Sequence, residues 1–181
     1  MAKGFAFGIA TAVMTIACGT SAQAQIAGTI DATMTLTTGC IINSQNLADG
    51  ATSIDFGTIS FGSHSSLFTQ ADAEVVGTGA GIAIQCTPGV APSLVFGAGE
   101  NDGEGTGAGN RAMVHATSTD QFVNYGLYSN SGRTTLITIG GSIALSDDGS
   151  AQTVHVYGRA FGAPGLETGN YSDTVLVTLE L

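Results

Sequence analysis

The chain has 181 residues and a formal net charge of -10, from 14 Asp and Glu against 4 Lys and Arg, with 27 Gly, 3 Cys and no Trp. So few cations cannot track a nucleic-acid backbone or an anionic membrane surface, which excludes nucleic-acid binding. With 43% apolar and 10% charged residues a packed core is within reach, so the composition argues against disorder and for one domain.

Met1-Ala2-Lys3 is a short positive start, Phe5 to Cys18 is apolar, and Ala22-Gln23-Ala24 supplies the small residues that a signal peptidase accepts. The pattern predicts a secretory signal over residues 1–24, cleaved before Gln25. The apolar stretch is broken by Gly8, Thr11 and Thr15 and falls short of the roughly 20 residues that span a bilayer, so stable membrane insertion is not expected. Cys18 after Ala17 leaves a lipoprotein alternative, against which Thr15 stands where a Leu is usual. Gln25 to Leu181 then keeps 3 Arg, no Lys and 14 acids, a formal charge of -11.

Beyond Gln25 the apolar residues recur with period two, separated by Gly, Asn, Asp and Ser clusters, and helical periodicity is absent. That is an all-β pattern. The predicted strands are 26–37, 53–61, 81–87, 93–97, 112–116, 122–128, 134–139, 142–145, 153–161 and 171–181. Asn130-Ser131-Gly132, Gly140-Gly141, Asp147-Asp148-Gly149 and Pro164-Gly165 supply turn chemistry between them. Many short strands at this spacing suggest a sandwich. Gly97 to Asn110, rich in Gly with Glu100, Asp102 and Glu104, reads as a solvated loop that lacks the spacing of an EF-hand. Cys40 and Cys86 remain in a chain bound for an oxidising compartment, where one disulfide is the economical reading and two free thiols the alternative. Closing that loop would stabilise the fold by roughly 4 kcal/mol on the chain-entropy model.

No motif carries catalysis. His64, His115 and His155 lie far apart with no HxH or HExxH spacing, so no metal or other cofactor is expected. No Ser sits in G-x-S-x-G, and no Gly-rich segment leads from strand to helix as a phosphate loop must. His155 falls between Thr153 and Tyr157 on one strand face, opposite Val154 and Val156, which makes it a solvent-side residue rather than a catalytic base. The chain is not expected to be an enzyme.

The termini are more informative. Ile26, Gly28, Ile30, Ala32, Met34 and Leu36 share one face of a strand that opens the mature chain, with Ala27, Thr29, Asp31, Thr33 and Thr35 on the other. The last residues, Thr174 to Leu181, alternate in the same way to the final position. Both are sheet-forming edges that invite aggregation unless paired.

At these residues the sequence resembles the archaic chaperone-usher pilins, the Csu-type subunits that share the spore coat protein U domain. The resemblance rests on Thr37-Thr-Gly-Cys40, Ile54-Asp-Phe-Gly57, Ile82-Ala-Ile-Gln-Cys86-Thr-Pro-Gly89 and Asn110-Arg-Ala-Met113. It continues through Asn124-Tyr-Gly-Leu-Tyr128, Gly132-Arg133-Thr134, Val156-Tyr-Gly-Arg159 and Gly169-Asn-Tyr-Ser-Asp-Thr174 with the alternating end. Two features depart from the pattern: no Trp follows Arg133, and the last residue is Leu181 rather than an aromatic one.

The resemblance implies an incomplete immunoglobulin-like β-sandwich over residues 39–181, completed by a donor strand from a neighbouring subunit. Residues 25–38 would be that donor, presenting Ile26, Gly28, Ile30, Ala32, Met34 and Leu36 to the next subunit. The groove that receives it, which a periplasmic chaperone covers before assembly, would be bordered by Tyr171, Val175, Val177, Leu179 and Leu181. The implied partners are identical or related pilin subunits, that chaperone and an outer-membrane usher. The expected product is a cell-surface fibre, exported through the periplasm, that serves adhesion and biofilm formation. An adhesive or adaptor subunit, or a spore or capsule coat protein with the same domain, is the alternative.

Overall fold

The computed structural model describes residues 25–106 and 110–181, so the predicted secretory signal over 1–24, with Lys3 and Cys18, lies outside the described residues. The chain divides into two units, residues 1–35 and 36–181. In the first, residues 25–35 carry no regular structure, and the predicted strand over 26–37 is not formed. A strand needs an edge to pair with, and none of these residues has one. Ile26, Ile30 and Met34 are 101%, 97% and 85% exposed.

The second unit is all-β. Its strands are β1 (Gly39–Ile42), β2 (Gln45–Ala48), β3 (Thr58–Ile59), β4 (Gln70–Val76), β5 (Ile82–Cys86), β6 (Ser93–Gly99) and β7 (Asn110–His115), followed by β8 (Phe122–Tyr128), β9 (Gly141–Ala144), β10 (Gln152–Val154), β11 (Tyr157–Phe161), β12 (Tyr171–Ser172) and β13 (Val175–Glu180). They form a four-stranded sheet in the order β10-β5-β1-β2, a six-stranded sheet β12-β7-β8-β11-β4-β3 and a three-stranded sheet β13-β6-β9. Every strand pairing is antiparallel.

One apolar cluster takes side chains from all three sheets: Ile42 and Ile84 from the first, Val123 and Leu127 from the second, Leu94 and Phe96 from the third. The alternation that sheets require is plain in β5, where Ile82, Ile84 and Cys86 are buried and Gln85 is exposed. The Cys40–Cys86 disulfide joins residues directly opposite one another on β1 and β5.

Two stretches predicted as single strands each serve two sheets. The 153–161 stretch leaves the four-stranded sheet after Val154 and joins the six-stranded sheet at Tyr157. The 171–181 stretch pairs first with β7 through Tyr171 and Ser172, then crosses at Asp173 and Thr174 to pair with β6. Such corners are how a sandwich passes one strand between its sheets. The 53–61 prediction narrows to β3, and 134–139 forms only a bridge between Tyr128 and Leu136. β2 and β4 went unpredicted. In β4 the inward residues are Ala71, Ala73 and Val75, too small to raise the alternation above Asp72 and Glu74.

Candidate functional site

β13 ends its sheet. One edge pairs with β6 from Glu180 opposite Ser93 to Val175 opposite Gly99, and the other has no strand partner among the described residues. Along it runs a groove of about 790 Å³. Val175, Val177 and Leu179 line the groove half-buried against the core, while Leu176 and Thr178 border it with exposed side chains and Glu180 is exposed. Leu181 also lines the groove. The floor includes Cys40 and Ile42 of β1 and Leu47 of β2, so the disulfide reaches the floor of the site through Cys40.

The opposite wall is the segment from Ala48 to Gly57, which contributes Ile54 and Phe56, both packed against the core. This segment was not assigned to the site from sequence, although Ile54-Asp-Phe-Gly57 stood out as a motif. It is tied by the Asn43 side chain, whose amide donates to the Asp55 carbonyl at 3.1 Å. The backbone turns at Gly57, with φ 124, where an added Cβ would strike the Val76 carbonyl.

Tyr171 stands apart from this groove, because it precedes the sheet change at Asp173. Its ring packs edge-on against buried His115 at 4.9 Å, and its hydroxyl donates to the Glu167 carbonyl at 3.0 Å. Burial pushes its phenol up, with the Glu167 charge acting in the same direction.

A polar cluster that sequence reasoning missed holds the start of β13. The Asn101 amide donates to Asp173 Oδ1 at 3.1 Å and to the Ala112 carbonyl at 3.0 Å. Arg111, 2% exposed, donates to the Gly97 carbonyl at 2.8 Å and the Ile137 carbonyl at 3.2 Å. Burial pulls its pKa down, and the nearby Tyr125 and Asp173 oppose that. Arg111 thus links β6, the strand beside β13, to the segment that carries Ile137.

The histidines do not converge. His155 is exposed and bonds Glu74 Oε1 at 2.6 Å, beside buried Val154 and Val156. His64 bonds the Phe61 carbonyl, and His115 lies between the loop after β7 and the one before β12. Among the described residues no three His, Cys, Asp or Glu side chains are placed to share a metal ion.

The Spore Coat Protein U domain model matches residues 26–178, and the chain belongs to that family. Among solved structures it is similar to a chain of the CsuC–CsuE chaperone–tip adhesion subunit pre-assembly complex from the archaic chaperone-usher Csu pili of Acinetobacter baumannii. That match has a TM-score of 0.43 and 18% identity, and it covers 81% of this chain and 40% of the other. No curated protein matches.

Proposed function

We propose that this protein is a structural subunit that polymerises by donor-strand complementation into a cell-surface pilus. The observation that carries the reading is a pairing of opposites within one chain. A bare strand edge borders an apolar groove, while a separate segment exposes apolar residues at the spacing that fills such a groove. Residues 25–38 of one subunit would lie along β13 of the next, with main-chain hydrogen bonds supplying the hold and alternate side chains the fit. Ile26, Ile30, Met34 and Leu36 are each at least 84% exposed. Burying them contributes on the order of 6 to 12 kcal/mol from apolar contact, before ordering costs are subtracted. Donor and groove are different surfaces, so the contact need not close and generates a filament.

An uncovered groove of this kind would aggregate, which supports a periplasmic chaperone as the first partner and an outer-membrane usher as the second. The signal over residues 1–24 accounts for export. Adhesion and biofilm formation are the roles such a fibre would serve, and a charge of -11 on each mature subunit would keep finished fibres dispersed. The test is co-expression with the cognate chaperone and usher, with and without residues 25–35, read on unboiled gels and in micrographs. Polymers that persist after the deletion would overturn the assignment.

A further inference from the structure

A second concavity, of about 520 Å³, opens between the loop from Ser60 to Phe68 and the segment from Leu166 to Tyr171. Its volume is in the range of small-molecule sites, roughly 300 to 1,000 Å³. The floor is already nearly closed: Val123 is 5% exposed and Ala160 1%. A purely apolar ligand would therefore find little apolar surface left to cover, and its gain scales with that area.

The rim is different in kind. Ser63, Ser65 and Ser66 on one side and Thr168 and Asn170 on the other have side chains that make no hydrogen bond to any described residue. Together they offer four hydroxyls and one amide, each able to donate and accept, around the half-buried rings of Phe61, Phe68 and Tyr171. Charge selects further. Glu167 stands at the rim with Oε2 accepting from the Ser118 hydroxyl at 2.7 Å, in a chain of net charge -10, which disfavours anions.

We propose that this cleft is a binding site for a neutral saccharide of one or two rings, whose hydroxyls bond the rim and whose C–H face rests on the aromatic edges. The site is distinct from the β13 groove, with which it shares no lining residue.

The test is an NMR titration of the isotope-labelled processed chain, in the assembly state in which it is isolated. The probes are glucose, galactose, mannose, N-acetylglucosamine and their disaccharides, with octanol as an apolar competitor. The expected result is that at least one sugar shifts amides within 60–71 and 162–171. In the doubly substituted Ser66→Ala, Asn170→Ala chain, affinity should fall about tenfold, as the loss of two modest hydrogen bonds predicts. Neither side chain bonds a described residue, so the variant should keep its fold. The proposal is overturned if no sugar perturbs these loops, if the shifts fall on 174–181, if the double variant binds as well, or if octanol binds the cleft more tightly than any sugar.

Discussion

The Tyr125 hydroxyl donates a 2.8 Å hydrogen bond to Asp173 Oδ2, joining the middle of β8 to the point where the chain leaves the six-stranded sheet to become the groove edge. Burial, and then the Asp173 carboxylate, push the Tyr125 phenol up, so it remains a donor across the ordinary pH range. Tyr125→Phe should cost roughly 1.5 to 3 kcal/mol in urea unfolding, the loss of one hydrogen bond to a charged acceptor. Asp173→Ala should cost more, because it strands the Tyr125 hydroxyl and takes one of two acceptors from the Asn101 amide, which keeps the Ala112 carbonyl. Hydrogen exchange should show β13 losing protection before β8 in both variants.

The disulfide predicts a second result. Cys40 and Cys86 close a loop 46 residues apart in sequence, and Cys40 also lines the groove. Replacing both with Ser should destabilise the fold by roughly 2 to 4 kcal/mol. Because Cys40 lies in the groove floor, assembly should fall further than stability alone accounts for. Thermal unfolding and polymer yield, measured on the same variant, separate the two effects.

Acid sensitivity follows from Asp72. Arg159 donates to both of its carboxylate oxygens, at 2.7 and 2.9 Å, and Arg133 lies 3.4 Å away. The hydrogen bond from Arg159, with the charges of both arginines, holds the Asp72 carboxyl below the usual carboxylate range. The unfolded chain therefore takes up this proton first as pH falls, and the folded state loses stability from about pH 4 downward. Asp72→Asn should flatten stability against pH in that window and leave it unchanged in slope near neutrality. The pair is exposed, so the effect will be small.

Gly158 tests the packing of the inner layer. An added Cβ there would meet the Ile59 side chain and the Phe61 ring, which lie against β11 at that point. Phe61 in turn packs edge-on against Tyr125 at 5.9 Å. Gly158→Val should cost roughly 1 to 3 kcal/mol through overpacking. A neutral result in urea unfolding would mean that the 59–61 segment does not lie on the sheet as described.

Much of the fold was legible because its signals are local. Ile82-Ala-Ile-Gln-Cys86 alternates cleanly, and the turn residues separate the strands. What could not be read was where a continuous alternating stretch changes sheet, since Val154 to Tyr157 and Ser172 to Val175 keep their period through the corner. The same blindness put Tyr171 with Val175, Val177 and Leu179, although the crossing at Asp173 parts them. In the Ala48–Gly57 wall the alternation of Ile54 and Phe56 predicts a strand over 53–61, yet none forms before Thr58, because the role of these residues depends on long-range packing. Arg111, Tyr125, Asn101 and Asp173 are scattered along the chain, so nothing in local spacing brings them together.

The exposed N-terminal segment of one subunit is expected to occupy the groove of another. A photoreactive phenylalanine analogue in place of Ile30, activated in isolated polymers and mapped by mass spectrometry, measures this directly. The reading predicts crosslinks from position 30 to residues 174–181 or 40–56 of a second copy. Crosslinks confined to the same chain, or to surfaces outside the groove, would contradict it.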